Sequence, residues 1–382
     1  MRTGVLKVAH VIPKLHQAGA EVFLTGLLPR LAARGLDVEP VTFFDTNALA
    51  STLTRRGIRI ETLGHRGGTI YRLDRWIPTA KNLHTYIRLH RPAIVHTHLY
   101  MADVVARLVG PRETILVTTL HSVDPWWEQP VRLRSRLKTY LDGCLARWRH
   151  VRLIAVSQDA ASAAAGALAI SPERIRVIRN GIDLELFPFN PRRAFPGSSS
   201  APCLVQIGRL DDPKGHSVAL AAFPRVLEAF PEARLLFVGD GPLRTRLESQ
   251  TRALGLDGRV RFLGVRSDIP ALLEASDLFW MPSRWEGLPI ACLEAMACGL
   301  PTVTTDVVGL REVAVDGVTG FVAPPDSPEL LAQASLRILK DPALAQRMGL
   351  AGRQRVEEKF SIERTADEYA RAYEDIMQGR WK

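Results

Sequence analysis

Residues 278–303 read LFWMPSRWEGLPIACLEAMACGLPTV, and the order of residue types in this stretch decides the fold. Leu278 to Met281 is a short apolar run closed by Pro282 and Ser283, the pattern of a buried strand running into a loop. Pro289 suits the first position of a helix, where its missing N–H costs nothing. Gly299 and Pro301 stop that helix about three turns later, and a second strand follows. Strand, loop, helix, turn and strand make the repeating unit of an α/β protein. Glu286 lies in the loop and Glu294 inside the helix, so two carboxylates frame the helix N-terminus. Between them the free amides of the first turn point outward with the positive end of the dipole. Carboxylates accept from sugar hydroxyls and amides meet phosphate or ring oxygens. The place suits an anionic, hydroxyl-rich ligand.

The same alternation extends outward in both directions. Residues 5–12, 38–43, 58–63, 93–98, 115–120, 151–157 and 175–178 read as buried strands with helices between them. Residues 190–202 are rich in Pro, Gly, Ser and Arg and read as a linker. A second βα series starts at residues 203–207 and continues through 233–238 and 260–264. The chain is thus α/β with parallel sheets, and 382 residues suit two domains. The expected division is 1–190, a linker at 191–202, 203–360, and a last helix within 361–382.

Composition bounds the function. Hydrophobic residues at 46% and charged residues at 24% are ordinary for a globular protein. No apolar run is long enough to span a membrane, and the N-terminus lacks the apolar stretch of a signal peptide. Cys144, Cys203, Cys292 and Cys298 show no metal spacing, and the last two look like core residues. A reduced, cytoplasmic protein is expected. The charge is uneven: residues 1–190 hold 26 Lys and Arg against 15 Asp and Glu, or +11, while residues 191–382 hold 24 against 25, or −1. A basic half implies an anionic partner.

Several loops at strand ends carry chemistry. The loop Gly208-Arg-Leu-Asp-Asp-Pro-Lys214-Gly215 puts two cations on a Gly-bearing turn, which suits a diphosphate. Gly239-Asp240-Gly241-Pro242 ends the next strand. In the first half, Gly19 lets the backbone approach a ligand where a helix begins. His98 and His121 each stand at the carboxyl end of a strand, where ligands meet a parallel sheet. Residues 124–150 read as a basic amphipathic helix. Leu133, Leu137, Tyr140, Leu141, Leu145 and Trp148 lie on one side, and Arg132, Arg134, Arg136, Lys138, Arg147 and Arg149 occupy the rest.

The stretch 278–303 resembles the family-4 retaining glycosyltransferases. Their signature is a Glu, seven residues and a second Glu, with Pro-Ser before and a Gly-Leu-Pro turn between. Here these are Glu286, Glu294, Pro282-Ser283 and Gly287-Leu288-Pro289. Gly208-Arg209-Leu210, Lys214-Gly215, Gly239-Asp240-Gly241-Pro242 and Asn180-Gly181-Ile182-Asp183 also match. The first loop departs from the family, with Ala18-Gly19 in place of Gly-Gly. The resemblance covers nearly the whole chain and is densest between Gly208 and Val322. It implies a GT-B architecture, two Rossmann-like domains with parallel sheets facing across a cleft, with the last helix crossing back to the first domain.

The implied reaction is hexosyl transfer from a nucleotide diphosphate sugar to an acceptor hydroxyl with retention, in cell-surface polysaccharide or glycolipid synthesis. A UDP-sugar is expected ahead of a GDP-sugar. The residues implied to act on the reacting groups are His121, Arg209, Lys214 and Glu286. Arg209 and Lys214 hold the diphosphate, Glu294 accepts from the ribose, and Glu286 meets the sugar together with the amides of Gly287 and Leu288. Gly19, Gly208 and Gly239 line the donor site. His98, Arg132 and Arg134 fall on the acceptor side. No cofactor and no metal are expected, since no Asp-x-Asp pair stands at a strand end.

The basic half is expected to dock on an anionic membrane surface at its inner face, reaching a glycan or lipid-linked acceptor. A soluble anionic acceptor would give the same charge bias. A sugar-nucleotide epimerase of the same fold would lack the two-Glu signature. A non-catalytic binder would not need Arg209, Lys214, Glu286 and Glu294 together. Nucleic acid is not an expected partner, because no matching signature is present.

Overall fold

The apolar runs become the strands of two parallel sheets. The computed structural model describes residues 5–16, 19–45, 47–65, 73–121, 133–189 and 201–381, with 65, 73–75 and 133–135 in backbone only. In the first sheet the strands are β1 (Lys7–Ile12), β2 (Asp37–Phe44), β3 (Glu61–His65), β4 (Ile94–His98), β5 (Ile115–Leu120), β6 (Arg152–Ala155) and β7 (Ile175–Val177). Their order is β3-β2-β1-β4-β5-β6-β7. In the second sheet they are β8 (Cys203–Ile207), β9 (Arg234–Val238), β10 (Val260–Phe262), β11 (Leu278–Met281), β12 (Thr302–Thr305) and β13 (Gly320–Ala323), in the order β10-β9-β8-β11-β12-β13. Each is a doubly wound sheet in which the chain leaves the centre one way and then returns to build the other. Such sheets bind ligands at the carboxyl ends of the two strands flanking the reversal. Those strands are β1 and β4 in one sheet, β8 and β11 in the other.

Burial on both faces explains why these strands are apolar nearly throughout. On one face of the first sheet Val8, Ile12, Ile94, Val117 and Ile154 share a core with Phe23, Leu27, Tyr369 and Tyr373. On the other, Ala9, Val11, Val95, Leu116 and Leu153 share one with Leu83, Ile87 and Val105. In the second sheet Leu204, Leu235, Phe237, Trp280 and Val303 pack with Phe223, Leu331 and Ile338. The Trp280 indole N–H is satisfied there by Ser335 Oγ at 2.7 Å.

The chain divides into two compact units, Met1–Gly181 with Ile362–Lys382, and Ile182–Ser361. The first boundary therefore falls before Ile182 and not at residue 190. The Ile182 N–H donates to Phe360 O at 2.9 Å, and Arg353 donates to Phe187 O at 2.9 Å, so residues 182–189 are tied to the second unit. The expected linker lies almost wholly outside the described residues. The helix Ile362–Met377 belongs to the first unit. Glu363 there pairs with Arg30 at 2.8 Å and Asp367 with Arg34 at 2.7 Å, against the helix Gly19–Ala33.

One strand boundary needs correction, and one helix gains its orientation. β3 starts at Glu61, while Ile58 sits in the preceding turn, its N–H bonded to Leu53 O at 3.1 Å. Its apolar side chain is buried without being in a strand. In the helix Leu133–Trp148 part of the apolar side faces outward: Leu137, Tyr140 and Leu141 are exposed, while Asp142, Gly143 and Ala146 are buried. Asp142 forms a buried ion pair with Arg107. Arg147 and Arg149 turn inward to backbone carbonyls, Arg147 to Leu168 and Arg149 to Arg107, Gly110 and Pro111. A buried charge fixes which face a helix presents more strongly than its leucines do, because leaving it unpaired costs more.

Candidate active site

The loops after β8 and β11 meet at the carboxyl end of the second sheet. The tightest approach is at Gly215, whose φ of +66° disfavours any side chain and where a Cβ would stand 1.9 Å from Pro282 O. That approach brings Lys214 to the loop 282–289. Its ammonium donates to both oxygens of Glu286 at 2.7 Å. Ser283 Oγ donates to Glu286 Oε1, also at 2.7 Å. Glu286 is buried, so its carboxylate depends on these three bonds. Lys214 has three donor hydrogens, and two bonds to Glu286 leave one for a ligand.

Arg209 extends into solvent, 69% exposed, with Asp211 at 3.4 Å. Burial raises the Asp211 carboxyl above its ordinary range, while Arg209 and Lys214 both oppose that. The two cations thus flank one carboxylate at the head of the loop. The Gly208 N–H bonds to Val238 O at 2.9 Å and the Gly239 N–H to Gly264 O at 2.8 Å. With φ +133° at Gly239, a Cβ there would lie 2.0 Å from Gly208 O, so the loops after β8 and β9 lie backbone against backbone.

The helix that follows spans Ile290–Ala297, with Pro289 as its N-cap and not its first residue. Gly299, at φ +72°, ends it as expected. Gly287 and Leu288 are buried in the turn before it. Glu294 sits one turn in. Its carboxylate has no partner among the described residues, and burial raises its pKa from 4.5 to about 7. The second unit therefore brings Gly208, Lys214, Gly239, Glu286, Gly287, Leu288 and Glu294 to one end of one sheet, with Arg209 at the rim.

The first unit gathers histidines at its own reversal point. His10 on β1 is in register with His96 on β4, and His98 lies two residues on, so all three share one face. His98 Nδ1 is 3.0 Å from His121 Nε2, and His98 Nε2 is 3.0 Å from His10 Nδ1. His96 bonds Tyr373 OH at 2.6 Å and Thr119 Oγ1 at 2.7 Å. Thr119 Oγ1 meets Tyr369 OH at 3.0 Å, and Tyr373 OH meets His10 Nε2 at 3.4 Å. Burial lowers every one of these imidazoles, His10 to about 3 and His121 to about 4, with His96 and His98 well below the usual value. All four are neutral near pH 7.

Ligand nitrogens of His10, His96 and His98 lie within 4.8 Å of one another, which is close enough for a metal. However, all six of their ring nitrogens are already engaged in the bonds above. The rings are also nearly parallel, at 10–26°, so their in-plane lone pairs do not converge on one point.

Sequence reading named His98 and His121 but missed His10, His96, Thr119, Tyr369 and Tyr373, and it took Ser283 as part of the Pro-Ser signature without a contact of its own. Gly19 opens its helix and is exposed. Arg132 and the side chain of Arg134 lie outside the described residues, so the acceptor-side reading is left with His98, which is fully buried. It cannot touch an acceptor where it stands.

Two family models divide the chain between them. Glycosyltransferase Family 4 matches residues 18–186, and Glycosyl transferases group 1 matches residues 192–355. The glycogen synthase of Mycobacterium tuberculosis is 29% identical over 385 residues, 96% of this chain and 84% of its own. The UDP-Gal:alpha-D-GlcNAc-diphosphoundecaprenol alpha-1,3-galactosyltransferase of Escherichia coli is 26% identical over 312 residues, 78% of this chain and 79% of its own. The structure of Anabaena HepE, solved with UDP and glucose, aligns at a TM-score of 0.82 and 22% identity, covering 97% of this chain and 99% of that one. The shared fold is GT-B.

Proposed function

We propose that this chain, which belongs through both of its halves to the glycosyltransferases of the family-4 type, moves a hexosyl group from a UDP-sugar to an acceptor hydroxyl with retention at the anomeric carbon. The observation that carries this reading is the Lys214–Glu286–Ser283 cluster at the β8–β11 reversal, with the unpartnered Glu294 one helical turn on. In the reaction the bond from the anomeric carbon to the diphosphate oxygen breaks, and both electrons leave with the diphosphate. Arg209 and the third hydrogen of Lys214 meet that growing charge. The acceptor oxygen then bonds to the anomeric carbon and passes its proton to the departing diphosphate oxygen, so that the nucleoside diphosphate leaves with it. Glu286, held by Lys214 and Ser283, accepts from a sugar hydroxyl, and ionised Glu294 accepts from the ribose.

The UDP reading is supported by the E. coli relative, whose name gives UDP-Gal as donor, and by HepE, solved with UDP. The same E. coli name carries a diphosphoundecaprenol acceptor. That, with the basic first half, favours a lipid-linked acceptor at an anionic surface. The two cations supply the positive charge, so no metal is required.

A panel of nucleotide sugars tests the reading, with donor cleavage and the anomeric configuration of the product followed by NMR. The expected result is turnover of a UDP-sugar to an axial product from an axial donor, undiminished by EDTA. An inverted product, or turnover lost to EDTA and restored by a divalent ion, would overturn it.

A further inference from the structure

We infer that a one-directional hydrogen-bond relay, running from Tyr369 through Thr119, His96, Tyr373, His10 and His98, fixes His121 as the tautomer that carries its proton on Nδ1. The six are positioning residues for His121. The direction follows from following each hydrogen in turn.

Tyr369 is sealed in the core, and among the described residues its hydroxyl has one hydrogen-bond partner, Thr119 Oγ1 at 3.0 Å. Its O–H therefore donates to Thr119. Among the described residues the Thr119 hydroxyl has one other partner, His96 Nε2 at 2.7 Å, and donates to it. His96 is neutral and now accepts on Nε2, so its proton is on Nδ1 and goes to Tyr373 OH at 2.6 Å. The Tyr373 O–H is left for His10 Nε2 at 3.4 Å. His10 then donates from Nδ1 to His98 Nε2 at 3.0 Å, and His98 donates from Nδ1 to His121 Nε2 at 3.0 Å. His121 is left with its proton on Nδ1.

Every other arrangement that uses all the bonds turns at a hydroxyl, and it leaves the hydrogen of Tyr369, Thr119 or Tyr373 as a buried donor with no acceptor among the described residues, a condition folded proteins avoid. In the direction argued, the surplus donor is His121 Nδ1–H. That atom is buried and without a partner among the described residues, on a half-buried residue just past the carboxyl end of β5. A ligand oxygen with a free lone pair, such as a sugar hydroxyl, completes it. That last step rests on the transfer reading, whereas the tautomer does not. His121 on this account donates a hydrogen bond and is not a base toward its ligand, because the nitrogen it presents is already protonated.

The test is nitrogen-15 NMR of the histidine side chains in the full chain without ligand, with His121 identified by the loss of its signals in His121→Gln. The wild-type protein is expected to show His121 as a single Nδ1–H form, and Thr119→Ser is expected to retain it. Tyr373→Phe and Thr119→Val keep the shape but cut the relay, and each is expected to give a mixture of the two tautomers. At an even mixture, turnover would fall about twofold, following the fraction of competent protein. A wild-type His121 protonated on Nε2 overturns the relay, and so does a single Nδ1–H form persisting in both cut variants. The wild-type spectrum decides even if a variant fails to fold. Failure of the transfer reading would appear in the donor panel and leave this spectrum unchanged.

Discussion

At Glu294 burial raises the pKa from 4.5 to about 7, so the folded protein holds that proton more tightly than the unfolded chain does. Stability is unaffected below about pH 4.5, falls as pH rises toward 7, and above that is lower by about 3 kcal/mol. A carboxylate kept at such a cost suits a group that waits for ligand hydroxyls. Glu294→Gln is therefore expected to raise the melting temperature at pH 8 and leave it unchanged at pH 4. In the same variant UDP should bind more weakly by about 1.5–3 kcal/mol at pH 8. Scanning calorimetry and titration calorimetry check the two effects, and a variant no more stable at pH 8 would contradict the assignment.

Lys214 has two roles that can be separated. Lys214→Ala should cut turnover about 10²–10³-fold through the lost charge at the leaving group. It should also destabilise the protein, because Glu286 keeps only Ser283. Combining Lys214→Met with Glu286→Gln should restore the melting temperature but not turnover. Recovery of both would make the pair purely structural.

Among the elements, the helix Leu133–Trp148 shows best what the sequence could and could not convey. Its existence and basic character are legible. Its orientation is not, since that depends on Asp142 finding Arg107 across 35 residues. Leu137, Tyr140 and Leu141 are left exposed, spaced to share a face beside exposed Arg136. This face is expected to enter the interfacial region of an anionic bilayer, where each apolar side chain contributes about 1.5–3 kcal/mol. Changing all three residues to Ser should abolish sedimentation with anionic vesicles at low salt, whereas Arg136→Glu should only weaken it. Wild-type-like binding by the Ser variant would exclude this helix.

Elsewhere the alternation of apolar runs and glycine turns made the parallel sheets readable, because buried strands are apolar whatever surrounds them. The Lys214–Glu286 pair, 72 residues apart, and the His96–Tyr373 pair, 277 apart, were not readable. Nothing local in a sequence says which distant side chain will fill a given space. His96 and His98 did carry a signal, since a spacing of two in a strand puts both on one face.

For the whole molecule, the two units repeat one strand order around unequal contents. The first unit holds His10, His96, His98 and His121, each with its pKa lowered by burial, while the second holds His216, lowered to about 3. An unfolded chain takes up protons at these sites below about pH 6.5, and the folded one does not. Each histidine therefore withdraws about 1.4 kcal/mol of stability per pH unit of acidification, and four together withdraw about 5. Hydrogen exchange at pH 5 should show first-unit amides losing protection while second-unit amides keep theirs, and the opposite order would refute this. The imidazoles that give the relay its direction thus make the chain an acid-labile half joined to an acid-tolerant one. Mild acidification should remove the half carrying His121 while leaving the half carrying Lys214 and Glu294 folded and able to bind UDP, though more weakly because Glu294 is then protonated.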